Sequence, residues 1–234
     1  MSILSDIKLL EKVYDKELII EPFIYGNIQP SSIDLTLDNT IKIFKASKQD
    51  INIYEEISKD LYDEKILDKY IIKPSEMILG QIKETIHLSD SMNGQIQNRN
   101  SLIRKGINVG LSTYINPGYK GKLPIVIQNI GTFNIQLVPG MRICQLVIQE
   151  VKPPVKVGYG NRKDAKYHDE KEITLPKLHE DVEFKEYIQK YGMPEGTKIK
   201  QERLIKFFTE RIKKKSSNPF ENLSPEQKEF LGLK

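Results

Sequence analysis

The stretch Ile115-Asn116-Pro117-Gly118-Tyr119-Lys120-Gly121-Lys122-Leu123-Pro124-Ile125-Val126-Ile127 opens on a turn and runs into an alternation. Pro presets φ and Gly accepts a positive φ, so Asn116-Pro117-Gly118 reverses the chain. Leu123, Ile125 and Ile127 then fall on one face of an extended strand and Val126 on the other, because successive strand side chains point to opposite faces. The same period of two recurs at Ile33, Leu35 and Leu37, and at Ile41 and Ile43 after a turn at Asp38-Asn39. It returns at Ile78, Gly80 and Ile82, and at Met141, Ile143, Gln145 and Val147, with further turn signals at Ile130-Gly131 and Pro139-Gly140. Many short strands punctuated in this way predict a mainly β fold, a sandwich, jelly roll or barrel, rather than βαβ units.

Helices flank the strands. Ile3, Ile7, Leu10 and Val13 are spaced by three and four residues, with Ser5 as a candidate cap, and predict an N-terminal helix. Asp50 to Asp68 reads as a charged surface insertion, partly helical. Past Glu180 the period becomes helical: Val182, Phe184, Tyr187, Ile188 and Tyr191 lead to Gly192 as a stop, and Leu204, Ile205, Phe207, Phe208 and Ile212 form an apolar stripe. Ser224-Pro225-Glu226-Gln227 has a capping-box arrangement. The reading is a β domain over 1–178 with a helical C-terminal extension over 179–234.

Composition narrows the class. The chain has 234 residues, 38% of them hydrophobic and 29% charged, which suits one cored domain with an appendage. The single cysteine, Cys144, excludes an internal disulfide. Without a signal-like start or an apolar run near 18 residues, the expectation is a cytoplasmic or other intracellular protein with no membrane association. His87, His168 and His179 show no ligand spacing with Cys144, so zinc chemistry is not expected, and Cys144 reads as a small buried strand residue. The net charge of +4 is regional: Lys198 to Lys215 holds eight Lys or Arg against Glu202 and Glu210. That basic helix is either a solvated face or a contact for a protein or nucleic-acid partner.

Between Asp90 and Glu150 there is no Asp or Glu at all, while Arg99, Arg104, Lys105, Lys120, Lys122 and Arg142 all lie there. The block can attract phosphate but has no carboxylate to move a proton. Within it, Arg99-Asn100-Ser101-Leu102-Ile103-Arg104-Lys105-Gly106 gathers two guanidinium groups, an amide and a hydroxyl. Arginine suits phosphate because its planar fork donates several hydrogen bonds and stays charged.

Taken with Asn116-Pro117-Gly118-Tyr119-Lys120-Gly121 and Pro139-Gly140-Met141-Arg142-Ile143-Cys144-Gln145-Leu146, this block resembles the dCTP deaminase/dUTPase family. Ile20-Glu21-Pro22-Phe23, Asn27-Ile28-Gln29-Pro30-Ser31-Ser32-Ile33-Asp34-Leu35 and the tail Asn161-Arg162-Lys163-Asp164-Ala165-Lys166-Tyr167 are similar to its dCTP deaminase branch. The resemblance runs from about residue 3 to about residue 178. It implies a dUTPase-like distorted β-barrel or jelly roll that forms a homotrimer, with pyrimidine deoxynucleoside triphosphate sites at subunit interfaces and Mg²⁺ on the triphosphate. Arg99, Asn100, Ser101, Arg104 and Gln145 would then line the phosphates, and Tyr159, Lys166 and Tyr167 would close over the ligand.

Departures from the family pattern fall at ligand-facing positions. The deaminase branch carries a glutamate where this chain has Val126, and the dUTPase branch an aspartate where it has Asn116. Valine carries no proton, and an amide holds water without accepting a proton at neutral pH. Asn100 replaces the usual first serine and Glu170 a glutamine. The leading expectation is a nucleotide-binding member with lost or reduced catalysis. One alternative is an active deaminase or dUTP diphosphatase whose base is Asp34, Asp38, Asp164, Asp169 or Glu170. Another is a non-enzymatic trimer within a larger assembly.

Overall fold

The computed structural model describes residues 2–48, 51–110, 113–192 and 201–215. Helix α1 (Asp6–Tyr14) comes first, followed by β1 (Leu18–Glu21), β2 (Ile28–Gln29), β3 (Ser32–Thr36) and β4 (Thr40–Phe44). Then come β5 (Tyr62–Ile66), β6 (Tyr70–Ile72), β7 (Met77–Leu88), β8 (Met92–Asn98) and the single turn α2 (Asn100–Ile103). The strands end with β9 (Ile107–Val109), β10 (Thr113–Ile115), β11 (Lys120–Asn129), β12 (Ile135–Leu137) and β13 (Arg142–Glu150). Helices α3 (Val182–Tyr191) and α4 (Gln201–Lys215) follow.

The chain divides into two compact units, 1–48 with 57–176, and 49–56 with 177–234. In the first, β5-β4-β7-β11-β9 form one sheet, with β1 also on β7, and β10-β8-β13-β3-β2 form a second. Ile78, Ile82, Ile86, Ile125 and Ile127 from the first sheet join Ile33, Leu35, Ile96, Leu146 and Ile148 from the second in one apolar core. The described strands form these two sheets and a small β6-β12 pair rather than one closed barrel. Leu37 carries the chain from one sheet to the other: its N–H donates to Met141 O at 2.9 Å, and it bridges Ile82.

Burial follows the period of two along β11, where Ile125 and Ile127 are buried and Val126 is exposed. In β3 it does not, because Asp34 and Thr36 on the polar face are buried as deeply as Ile33 and Leu35. Buried polar groups need partners, and Thr36 has Glu84 on β7, which accepts from its N–H at 3.0 Å and its hydroxyl at 2.8 Å. Glu84 is 1% exposed and so ties the two sheets together through a carboxylate.

The flanking predictions need correcting in detail. Helix α1 starts after Ser5, whose Oγ accepts from Lys8 N–H, and Ile3 lies outside it, bridged to Gln149. Its buried residue is Leu9, while Ile7 is 65% exposed. The Asp50 to Asp68 segment, expected to be partly helical, has one 3₁₀ turn at Lys59–Leu61 among its described residues, and Tyr62–Ile66 forms β5, an edge strand paired with β4. In the second unit, α3 ends at Gly192, whose φ of 75° suits glycine. Phe184, Tyr187, Leu204 and Phe207 form its core, with Tyr54 stacked on Phe184 at 4.9 Å between centroids. Ile205 and Ile212, counted in the apolar stripe, are instead exposed. The Ser224 capping box lies outside the described residues. No described helix is long and apolar enough to cross a membrane.

Candidate functional site

The end of β8 turns into α2 at Arg99, whose backbone is still extended, so its side chain swings across the neighbouring strands. On β13, Gln145 lies opposite Gln97 of β8 on one side and Asp34 of β3 on the other. Arg99 and Gln145 therefore converge on one buried carboxylate. Arg99 Nε pairs with Asp34 Oδ1 at 3.3 Å and Gln145 Nε2 donates to the same oxygen at 3.2 Å. Arg142 Nη1 pairs with Oδ2 at 3.3 Å, and its Nη2 donates to Gly26 O at 3.0 Å. Arg99 Nη1 also donates to Arg142 O at 3.1 Å. Asp34 is 2% exposed, so two guanidinium groups are held by a carboxylate away from water. Asn100, Ser101 and Arg104 are exposed along α2, Arg104 at its C-terminal cap.

The tail residues assemble elsewhere. After β13 the chain returns to the Asn116-Pro117-Gly118 turn: Tyr159 N–H donates to Pro117 O at 2.7 Å, and Gly160 N–H to Gly118 O at 3.3 Å. Gly118 has a φ of 75°, and a Cβ there would meet Gly158 Cα at 2.8 Å, so both its backbone and the close approach require glycine. Tyr159 Oη accepts from Tyr167 N–H at 3.0 Å, and Lys166 Nζ lies 5.8 Å from the centre of the Tyr167 ring. A cavity of about 330 Å³ opens beside the turn, walled by Tyr114, Asn116, Tyr119, Tyr159, Tyr167 and Glu170. Burial, with the Glu170 carboxylate second, pushes the Tyr119 hydroxyl well above its usual range. It stays protonated and donates to Lys122 O at 2.9 Å.

The predicted site residues thus gather as two clusters: Arg99 with Gln145 on Asp34, and Tyr159 with Lys166 and Tyr167 at the turn. Neither Arg99 nor Gln145 lines the aromatic cavity. Asn116 does line it. Val126 lies on the outward face of β11, 38% exposed, opposite Leu79 of β7, and outside the cavity wall, although Leu79 and Pro124 belong to that wall. Of the carboxylates considered as substitute bases, Asp34 is held by Arg99 and Arg142, and Asp38 pairs with Lys122 at 2.6 Å. Asp164 pairs with Arg162 at 2.7 Å and Asp169 with Lys120 at 3.5 Å. Only Glu170 of these five lines the cavity. Cys144 is fully buried and burial raises its thiol, so it packs as a neutral side chain.

Sequence reasoning did not see that Arg142 and Asp34 belong with Arg99 and Gln145. The strand pattern gave no signal, since Asp34 falls on the polar face of Ser32-Ile33-Asp34-Leu35-Thr36, and both its burial and its cations depend on strand order. Glu84 was missed as well. Its place on β7 falls on the same face as Ile82 and Ile86, so the alternation marks a buried carboxylate, but its partner Thr36 is set only by the stacking of β3.

A family model described as dCTP deaminase-like matches residues 3–151. A dCTP deaminase, dUMP-forming, of Dictyoglomus turgidum is 32% identical over 191 residues, covering 79% of this chain and 98% of that protein. One of the same description from Nanoarchaeum equitans is 34% identical over 197 residues, covering 76% of this chain and 98% of that protein. Among solved structures, the 2'-deoxycytidine 5'-triphosphate deaminase of Agrobacterium tumefaciens superposes with a TM-score of 0.51 at 21% identity. That match spans 64% of this chain and 48% of the other, and it bears on the fold alone. With a matching family model over most of its β unit and relatives spanned almost end to end, this chain belongs to the dCTP deaminase-like family.

Proposed function

We propose that this protein binds a pyrimidine deoxynucleoside triphosphate and has lost, or greatly reduced, the turnover that the names of its relatives describe. The observation that carries the reading is that the two positions where the family pattern has carboxylates hold an amide, Asn116 in the cavity wall, and an aliphatic side chain, Val126, while the one carboxylate in that wall, Glu170, accepts a hydrogen bond from Thr174. Deamination and diphosphate hydrolysis both need a water activated by a base. An amide orients water but takes no proton, and losing a general base costs about 10²- to 10⁴-fold in rate.

Arg99, Arg142 and Gln145, with Asn100, Ser101 and Arg104 on α2, form the anion-binding part of this reading. The cations supply charge, and the strand ends supply rigidity. Mg²⁺ would arrive on the triphosphate, since it keeps several waters and is held largely through phosphate oxygens. The donor set fits that arrangement, because it offers groups to the phosphates and no carboxylate cage is required. Assembly as a homotrimer would let the phosphate cluster of one protomer meet the aromatic cavity of the next.

Incubation with Mg²⁺ and dCTP or dUTP, followed by separation of the nucleotides, tests the loss of catalysis. Turnover at ordinary enzyme rates would overturn it and favour the competing reading, an enzyme using Glu170. A thermal shift with dCTP, dUTP and dTTP tests binding, because a ligand that binds only the folded state must raise the melting temperature. If no nucleotide shifts it, the site is vestigial and the protein acts through contacts with other macromolecules.

A further inference from the structure

Along β13 the alternation slips once. Ile143 and Cys144 are consecutive and both fully buried, while Arg142 before them and Gln145 after them are half-buried. The register gives the reason: Arg142 lies opposite Thr36 and Cys144 opposite Leu35, so two steps on β13 match one on β3, and Ile143 is the extra residue of a β-bulge. A shift of one residue moves a side chain to the other face of a strand. Arg142 and Gln145, three apart, therefore share a face, and both reach Asp34, at 3.3 Å and 3.2 Å. At this bulge a carboxylate from the opposite sheet meets β3. Glu84 stands between Ile82 and Ile86 in a buried row of β7. Among the described residues its oxygens accept only from Thr36, the residue opposite Arg142: from the N–H at 3.0 and 3.2 Å and from the hydroxyl at 2.8 Å. An apolar side chain would fill that row without the cost of burying a carboxylate.

We infer that Glu84 is a positioning residue: by holding the Thr36 N–H and hydroxyl it pins the β13 bulge at Ile143, and so keeps Arg142 on the face it shares with Gln145, against Asp34. For what the cluster binds, the inference rests on the nucleotide-binding reading. Glu84 is 1% exposed, so it acts through β3 rather than on a ligand. A bulge leaves its extra residue unpaired and the ladder locally disrupted, and the Glu84 bonds supply from the other sheet what fixes its place. Were the extra residue to migrate past Arg142, the guanidinium would turn towards the core and leave Asp34 to Arg99 and Gln145 alone.

The test measures binding of dCTP with Mg²⁺ and of inorganic tripolyphosphate to the full chain by calorimetry, together with the guanidinium N–H signals of Arg142 by NMR. Glu84→Leu fills the same space without an acceptor. It is expected to weaken both ligands by about tenfold or more, the scale of one charge-assisted hydrogen bond, and to lose the protected Arg142 signals; Glu84→Ala decides the matter if the leucine variant does not fold. Glu84→Gln keeps an oxygen for the Thr36 N–H and should restore both readouts. Ile86→Ala, two residues along the same buried row and not bonded to Thr36, should lower the melting temperature yet leave both readouts unchanged. Natural affinity in the leucine or alanine variant, or an equal loss in Ile86→Ala, overturns the inference. If the natural protein binds neither ligand, the nucleotide-binding reading fails, and the Arg142 signals still decide the inference by the same comparison.

Discussion

Arg99 and Asp34 face each other at 3.3 Å, with the carboxylate 2% exposed and the guanidinium reaching it from the end of β8. An anion-binding arginine is thus positioned by an internal anion. Asp34→Ala should release both Arg99 and Arg142 and lower stability by about 1–3 kcal/mol, the range for stranding partners of a buried polar group. The cost stays at that scale because Arg99 and Arg142 retain some solvent contact and can hydrate. Urea denaturation checks the stability, and the same variant should bind triphosphate more weakly because the fork is no longer held in place.

Gly118→Ala should loosen the tail from the turn. The new Cβ would lie 2.9 Å from Tyr159 N and would occupy a φ of 75°. An alanine forced into that region costs about 1–3 kcal/mol. Limited proteolysis should then cut residues 155–170 faster than in the natural protein, with the core sheets still protected.

Two substitutions should restore chemistry if only the bases are missing. Asn116→Asp with Val126→Glu places carboxylates on positions that are both solvent-exposed, so neither buries a new charge. Appearance of dCTP deamination or dUTP hydrolysis, by about 10² to 10⁴ over the natural protein, is the expected outcome. Nucleotide separation after incubation reads it directly.

Asp164 offers a pH test. Hydrogen bonding to Arg162 holds its carboxyl down at about 2, below the usual value near 3.9. A depressed carboxyl contributes stability above the unfolded value and loses it as pH falls from about 4 through about 2. Arg162→Gln should return the Asp164 midpoint towards its ordinary value, as read by carboxyl-carbon NMR titration.

The helical unit has its own core and should respond separately. Phe207 is 7% exposed and meets the Tyr187 ring edge-on at 5.6 Å between centroids. Phe207→Ala removes a large buried ring, a loss of about 3–5 kcal/mol. Amide exchange should accelerate across α3 and α4 while β7, β11 and β13 keep their protection.

Local rules carried the reading a long way for elements and less far for burial. The period of two placed β11 and β13, and the helix stop at Gly192 was visible as a glycine after an apolar helix. Ile7, Ile205 and Ile212 show the limit, since helical spacing says which residues share a face but not how much of that face finds a partner. The carboxylate-free block and its arginines were legible as residue types. The convergence of Arg99, Arg142 and Gln145 on Asp34 was not, because it depends on β13 lying between β8 and β3.

By itself the sequence determined the strand-rich fold, the family motifs, the cation-rich block and the absence of carboxylates from Asn116 and Val126, all of which follow from residue type and short-range period. Tertiary structure alone decided that the site residues fall into two clusters, that Asp34 is the anchor of one, and that Glu170 turns into the aromatic cavity of the other. Those outcomes rest on contacts between residues far apart in the chain, where strand order and close backbone approach at Gly118 and Gly121 set the geometry that no local pattern encodes.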